Sequence, residues 1–71
     1  MSHVLGAEMV ATVHSVTVQV GETVRPDTMV VLLESMKMEI PVLAEVAGTV
    51  SKVSVSVGDV IQAGDLIAVI S

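Results

Sequence analysis

The sequence predicts an all-β fold, and three observations support that class. Valine, isoleucine and threonine account for 26 of the 71 residues, and such β-branched side chains pack well on a pleated sheet. Valine recurs at every second position over 16–20 and 53–57, with polar residues between, a period typical of strands with one buried face. No segment carries apolar residues at helical spacing.

The length of the chain suits one small domain, which we assign to residues 1–71. A domain of this size buries only about 60% of the surface of its unfolded chain, so each core position matters. The longest purely apolar runs, 29–33 and 66–70, have five residues, whereas a membrane-spanning helix needs about 20. We therefore expect no membrane-spanning helix and no membrane partner.

Charge and residue types exclude several classes of function. Three basic residues against eight acidic ones give a net charge of −5, and no aromatic ring is present for bases to stack on, so a nucleic acid partner is excluded. Aromatic residues are also the usual anchors of tight protein interfaces, so we expect a monomer when the protein is free. The chain has no cysteine, which excludes disulfides and thiolate metal sites and suits the cytoplasm, where we expect the protein to act.

The sequence repeats itself once, at an offset of 37 residues. When residues 7–33 are set against 44–70, eight of the 27 pairs are identical and most others are conservative. The identities include the valines of both alternating segments and the glycine that ends each of them, Gly21 and Gly58. We interpret this pattern as an internal duplication.

Each half is predicted to run through the same elements. An irregularity in the valine spacing, over 13–16 and over 50–53, indicates a bulge in each half. Each ladder of valines then ends in a Val-Gly-acid turn, where glycine can adopt a positive φ. A second turn follows at 26–27 and at 64–65, and each half closes on an apolar strand. Two such units of about four short strands predict a flattened sandwich or barrel with a pseudo-two-fold axis and one valine-rich core.

The segment that joins the halves carries residues that the fold does not explain. The chain must turn between Leu33 and Ile40, and tight hairpins favour Asn-Gly or Asp-Gly because their central residues need positive φ. The turn here contains Met36, Lys37 and Met38 and no glycine, and such breaks of a local rule concentrate at functional sites. By the symmetry of the halves, we expect the ends of this sequence to lie opposite the turn and to leave Lys37 accessible.

The segment 34–38, with the sequence Glu-Ser-Met-Lys-Met, resembles the biotin-acceptor motif of biotinyl domains, in which the target lysine lies between two methionines. The resemblance covers nearly the whole chain and includes the paired Val-Gly-acid turns, Gly48 and the Gly-Asp-Leu sequence at 64–66. It implies two four-stranded sheets with quasi-two-fold symmetry, a barrel-sandwich hybrid, with the acceptor lysine on a hairpin turn. Because no loop is inserted around the motif, the chain is more similar to stand-alone biotin attachment proteins of the biotin carboxyl carrier type than to the tail of a large carboxylase.

Two positions depart from the pattern of that family. Ser35 stands where alanine is most frequent, as a small alternative. Asp27 stands where the first half often has glycine, so we expect this turn to differ from its counterpart.

The resemblance implies a carrier whose covalent cofactor is biotin, attached to Lys37 by a biotin protein ligase. The biotin arm would shuttle CO2 between the biotin carboxylase and carboxyltransferase active sites of a biotin-dependent carboxylase, and tethering would raise its effective concentration at both. The chain itself is then not an enzyme and has no catalytic residue. Met36 and Met38 form the flanking motif. Three polar residues lie beside this motif, namely Glu34, Ser35 and Glu39. They are either ordinary residues at the ends of strands or part of the surface that the ligase recognises.

Two other functions stay open. A lipoyl carrier shares the fold but usually lacks methionines on both sides of the lysine, and an unmodified structural or adaptor module would have no reason to keep Met-Lys-Met. For Met36 and Met38, recognition by the ligase competes with burial in the core. His3 and His14 have no partner at metal-ligand spacing, so no metal site is predicted. The aspartates are interpreted as turn formers, and they are Asp27, Asp59 and Asp65.

Overall fold

The computed structural model describes residues 2–71, which form eight β-strands. Apolar and β-branched residues dominate these strands, as expected from the composition. The bounds are β1 (His3–Gly6), β2 (Ala11–Val16), β3 (Thr23–Val24), β4 (Met29–Ser35), β5 (Met38–Leu43), β6 (Gly48–Val53), β7 (Val60–Ile61) and β8 (Leu66–Ile70). Residues 2–71 contain no helix that could span a membrane.

The strands form two four-stranded sheets. The first sheet has the order β1-β8-β6-β3, and the second sheet has the order β5-β4-β2-β7. Every pairing of strands is antiparallel. This arrangement confirms the predicted fold class, a barrel-sandwich of two four-stranded sheets.

The two sheets are related by the predicted offset of 37 residues. β6 and β7 begin and end 37 residues after β2 and β3, and the same shift converts the strand order of one sheet into that of the other. The hydrogen bonds of the turns follow the same offset of 37 residues. The amide of Gly21 donates to the carbonyl of Val50, and the amide of Gly58 donates to the carbonyl of Val13, both over 2.8 Å. The pseudo-two-fold symmetry of the fold is therefore confirmed, and the duplication of the sequence itself stays a prediction.

The described ends of the chain lie at a position that this symmetry relates to the β4–β5 hairpin. The hydroxyl oxygens of Ser2 and Ser71 are 3.4 Å apart. A shift of 37 residues places these two serines on Glu39 and Glu34, which face each other at the base of the hairpin. The ends and the hairpin turn thus occupy equivalent places in the two halves, as expected from the repeat.

Both predicted bulges are present, at equivalent positions. The register of β2 against β4 shifts between Val13 and Ser15, and the register of β6 against β8 shifts between Val50 and Lys52. A bulge bends the strand that carries it, so β2 and β6 bend at equivalent positions. The irregular valine spacing is the local signal of this shared feature.

The core lies between the two sheets and consists of aliphatic residues and alanine. No polar or charged side chain is buried among residues 2–71, so the hydrophobic effect is the main source of stability. The buried residues are Leu5, Ala7, Ala11, Val13, Val18, Val24, Val30, Val31, Leu33, Ala44, Val50, Val55, Ile61, Ile67, Ala68 and Ile70.

The prediction that both valine ladders continue as half-buried strands is wrong for the second part of each ladder. β2 and β6 end at the first ladder valine; beyond it, Val18 and Val55 are buried whereas Val20 and Val57 are exposed. The reason is that the chain leaves one sheet here and crosses to the other, so only one valine per crossing faces the core.

The turns agree with the glycine pattern. Gly21 and Gly58 have φ values of 95° and 92°, which confirms the positive φ predicted for both Val-Gly-acid turns. The second turns differ between the halves, because Gly64 has a φ of 94° while its counterpart Asp27 has no positive φ. The expected difference at Asp27 is thus confirmed.

Gly48 opens β6 where the end of the chain passes closest to it. A Cβ atom at this position would lie 2.5 Å from the carbonyl oxygen of Ser71 and 3.0 Å from Cγ2 of Ile70. The first of these distances is shorter than any ordinary contact with a carbon atom, so the close approach of the two backbones requires glycine.

Candidate functional site

The β4–β5 hairpin closes with a two-residue turn formed by Met36 and Lys37. Ser35 pairs with Met38 directly across the hairpin, so only two residues remain between the strands. Met36 has a φ of 52° and Lys37 a φ of 65°. Positive φ at both central residues is the conformation of a type I′ turn, which matches the twist of the flanking strands.

This conformation is costly for the residues that adopt it. A side chain in the left-handed region destabilises the backbone by roughly 1–2 kcal/mol per residue, and the turn has no glycine or asparagine to relieve the cost. The two strands pair in register from Val31 opposite Val42 to Ser35 opposite Met38. This pairing leaves only Met36 and Lys37 to close the turn, so both adopt the left-handed conformation. The turn is held in this strained form by the strands on both sides.

The side chains of the turn point away from the protein. Met36 is 91% exposed and Met38 is 60% exposed, and Lys37 is exposed as well. The interpretation that the two methionines belong to the core is therefore wrong. The amine of Lys37 is accessible to a large partner, and no carboxylate of residues 2–71 lies within ion-pair distance of it.

Ser35 braces the base of the turn. Its hydroxyl donates a hydrogen bond of 3.1 Å to the carbonyl of Val10, which immediately precedes β2. Alanine, which is frequent at this position in the biotinyl domains that the motif resembles, cannot make this bond. Ser35 is therefore a structural anchor of the turn as well as part of the motif.

Glu34 and Glu39 lie directly opposite each other, one residue pair below the turn. Both are exposed strand residues, and like charges at directly opposed positions are destabilising in a sheet. His14 of β2 approaches this pair, with its Nε2 atom 4.0 Å from a carboxylate oxygen of Glu39, while its Nδ1 atom is 2.9 Å from the hydroxyl of Ser15. The sequence pattern did not place His14 here, because only the strand pairing brings β2 beside the hairpin.

The other candidate residues lie away from the turn. Lys52 is exposed on β6, in the first sheet. His3 contacts Glu45 over 3.0 Å, close to the described ends of the chain. In the described part of the protein, no three His, Cys, Asp or Glu side chains are grouped so as to hold a metal ion.

The arrangement presents one primary amine on a strained, exposed turn between two exposed thioethers. An acylating agent supplied by a partner can reach this amine from outside. None of the hydrogen bonds and ion pairs found in residues 2–71 involves this amine.

The sequence matches the family described as "Biotin-requiring enzyme" over residues 3–70. A curated relative from Mycobacterium leprae, the "Biotinylated protein TB7.3 homolog", is 68% identical over 71 residues, which cover 100% of both chains. This match includes the whole of the hairpin and both sheets.

Two solved structures show the same fold. The urea carboxylase of Kluyveromyces lactis superimposes with a TM-score of 0.92 and 34% identity over 100% of this chain, which spans 6% of the carboxylase chain. The lipoyl domain of the 2-oxoglutarate dehydrogenase complex from Azotobacter vinelandii superimposes with a TM-score of 0.76 and 29% identity, over 87% of this chain and 78% of the domain. The fold is thus similar to that of part of a carboxylase and to that of a lipoyl domain.

Proposed function

The chain belongs to the biotin/lipoyl attachment family of biotin-requiring enzymes, and from that premise we propose that it is a biotin carrier with biotin attached to Lys37. The observation that carries the proposal is the position of Lys37 at an exposed turn whose two neighbours, Met36 and Met38, are also exposed. The relative from Mycobacterium leprae is named a biotinylated protein, which supports biotin over other acyl groups.

The residues of the turn fit an amide-linked biotin. Attachment requires a primary amine that can enter the active site of another protein, and Lys37 lies in a protruding two-residue turn whereas Lys52 lies within β6. Attachment also replaces the charged ammonium of Lys37 with a neutral amide. No charge from Lys37 is then buried when the arm enters the active site of a partner. The carrier itself performs no bond chemistry.

Acylation of Lys37 needs a biotin protein ligase. The Nζ atom attacks the acyl carbon of biotin activated as an adenylate, AMP leaves, and the ammonium gives up two protons as the amide forms. This chain contributes the exposed position of Lys37, whose backbone the type I′ turn fixes relative to the strands. Met36 and Met38 provide flexible apolar contacts of the kind that methionine makes at binding surfaces.

We assign the protein to a biotin-dependent carboxylase in the cytoplasm. When bound, biotin would take up CO2 at a biotin carboxylase site and deliver it at a carboxyltransferase site. The part played by this chain is to hold the arm on a compact body, so that the arm remains at high effective concentration near both sites. The similarity to part of a urea carboxylase supports a carboxylase as the partner.

The mass of the intact protein tests the proposal. The chain is incubated with a biotin protein ligase, ATP and biotin, and separately with a lipoate ligase, ATP and lipoate. We expect a single biotin adduct, which peptide mapping places on Lys37, and little or no lipoyl adduct. Absence of any biotin adduct on a folded chain would contradict the carrier function.

A lipoyl carrier is the second candidate, because the lipoyl domain from Azotobacter vinelandii shares the fold. The methionines on both sides of Lys37 favour biotin. A lipoyl adduct formed faster than the biotin adduct would reverse this assignment, and no adduct of either kind would favour an unmodified structural or adaptor module.

A further inference from the structure

A groove of about 560 Å³ lies between β1 and β5, the edge strands of the two sheets. Apolar side chains line it together with the carboxylates of Glu8 and Glu45, and its volume falls within the range of about 300–1,000 Å³ that is usual for small-molecule sites. Core formation does not account for the apolar residues left exposed along it, since Val4 is 61% exposed, Leu43 40% and Met9 42%. The groove is therefore a candidate binding site on the surface of the sandwich.

One end of the groove lies beside the hairpin turn. Ile40 of β5 lines the groove and is three residues after Lys37 in the chain. At 3.3–3.4 Å per residue, this separation corresponds to a distance of about 10 Å. Met9 lines the opposite wall and is next to Val10, whose carbonyl is bonded to Ser35 at the base of the turn. Met9 and Ile40 thus mark the end of the groove nearest to the attachment site, which we call the tip end.

A biotin arm on Lys37 is long enough to reach the tip end. The lysine side chain and the valeryl chain together contain about eleven bonds of ~1.5 Å, which span roughly 14 Å when extended. The bicyclic ring therefore reaches the level of Ile40 without any change in the backbone.

The chemistry of the tip end suits the ring. The thioether side of the ring matches the side chains of Met9 and Ile40, and thioethers adapt well to irregular apolar surfaces. The ureido group has two N–H donors, and the carboxylate of Glu8, which also lines the groove, is an acceptor next to Met9. Charge-assisted hydrogen bonds of this kind are stronger than those between neutral groups.

We propose that the ring of biotin attached to Lys37 packs into the tip end of this groove, between Met9 and Ile40, in equilibrium with a free arm. The proposal rests on the function proposed above. Because ring and groove are tethered, the effective concentration is in the millimolar range, and a weak site is sufficient to hold a substantial fraction of the arms. A partner then captures biotin at a rate reduced by the docked fraction.

Methyl NMR of the intact chain before and after biotinylation tests the proposal. The adduct is first established by intact mass. We expect the methyl signals of Met9 and Ile40 to shift and to show contacts with ring protons, while the signals of Val20 and Val57, exposed on the crossing segments, stay unchanged. A chain that takes no biotin overturns the proposed function and the docking with it.

Two other outcomes overturn the docking alone. If the adduct is present but the shifts are confined to Met36 and Met38, the arm is free. If the groove signals of unmodified protein shift with its concentration, and biotinylation adds nothing, the groove binds a second copy of the chain instead.

The rate of capture by streptavidin gives a second readout with a matched pair of variants. Met9→Ser weakens the docked state, and we expect biotinylated Met9→Ser to be captured roughly twofold faster than the wild type if about half of the arms are docked. Val20→Ser changes another exposed apolar residue, away from the groove, and should leave the rate unchanged. Equal capture rates for the wild type and both variants would refute the docking.

Discussion

The hydroxyl of Ser35 donates a hydrogen bond to the carbonyl of Val10 over 3.1 Å, and this bond ties the turn that carries Lys37 to the entry of β2. The two residues are 25 positions apart in the chain. The brace lies next to two left-handed residues, so it opposes the strain that Met36 and Lys37 impose on the hairpin. The geometry of the turn that carries Lys37 is thus supported by a contact outside the motif.

Ser35→Ala removes this brace. We expect a loss of about 0.5–1.5 kcal/mol in the free energy of unfolding, which is the usual net value of one hydrogen bond, and slower biotinylation because the turn is less well ordered. Chemical denaturation and ligase kinetics measure the two effects. Ser54→Ala is the control, since Ser54 is exposed in a crossing segment and should be neutral; equal losses at both serines would contradict the brace.

Met36→Gly relieves the strain at the first residue of the turn. Glycine adopts positive φ without steric cost, so the variant should be more stable than the wild type by about 1 kcal/mol. Ligase activity should fall, because an exposed apolar contact is lost and the turn is freer. Met36→Leu keeps the strain and the bulk and should leave the melting temperature unchanged. A destabilised Met36→Gly would show that the side chain packs more than its exposure indicates.

Lys37→Ala should abolish biotinylation, whereas Lys52→Ala should leave it intact. Both lysines are exposed, so neither change should alter stability by more than about 0.5 kcal/mol. Intact mass and peptide mapping after incubation with the ligase provide the measurement. Biotin found on Lys52 or on the N-terminal amine of the wild type would move the attachment site.

Val18→Ala and Val55→Ala test the equivalence of the two crossings. The two valines are 4% and 8% exposed, and each truncation removes two methyl groups from the core, so each should cost on the order of 1–3 kcal/mol. Small domains of this size have only about 3–5 kcal/mol in total, so thermal melting detects either change. A severe effect at one valine and none at the other would mean that the halves contribute unequally to the core.

Gly48→Ala should destabilise the protein by about 1–3 kcal/mol, as overpacked sites do, because the new Cβ would lie 2.5 Å from the carbonyl oxygen of Ser71. Gly6→Ala is the matched control in β1. The nearest atom to a Cβ there is the carbonyl oxygen of Asp65 at 3.7 Å, an ordinary contact, so its melting temperature should change little. Similar melting temperatures for both variants would show that the end of β8 moves aside at low cost.

Local patterns in the sequence were sufficient to predict the features that depend on single strands. The break in the valine period predicted both bulges, and the glycines predicted the positive φ at Gly21 and Gly58. The period did not show where the ladders end, since alternation over a few residues is the same in a strand and in an extended crossing. For that reason, the predicted half-buried strands wrongly include Val20 and Val57, which are exposed.

The turn was predictable as a candidate site because its residues disagree with the usual residue preferences of such turns, whereas the contacts around it were not predictable. The contact of His14 with Glu39 and the bond from Ser35 to Val10 join distant parts of the chain. Both depend on strand order and register, which a one-residue slip would change entirely. The groove likewise arises where the edges of two sheets meet and has no signature in either strand alone.

Because the two halves of the sandwich are equivalent, the present ends of the chain could be joined by a second turn like the one that carries Lys37. Ser71 and Ser2, whose hydroxyls are 3.4 Å apart, occupy the places of Glu34 and Glu39, so a short Ser-Met-Lys-Met link between them would copy the natural hairpin at the opposite pole. New ends could be opened at the exposed turn around Gly58. Such a permuted chain should take up two biotins, one at each pole, if a ligase needs only the turn, and one biotin if the ligase also needs the side chains around the turn that carries Lys37.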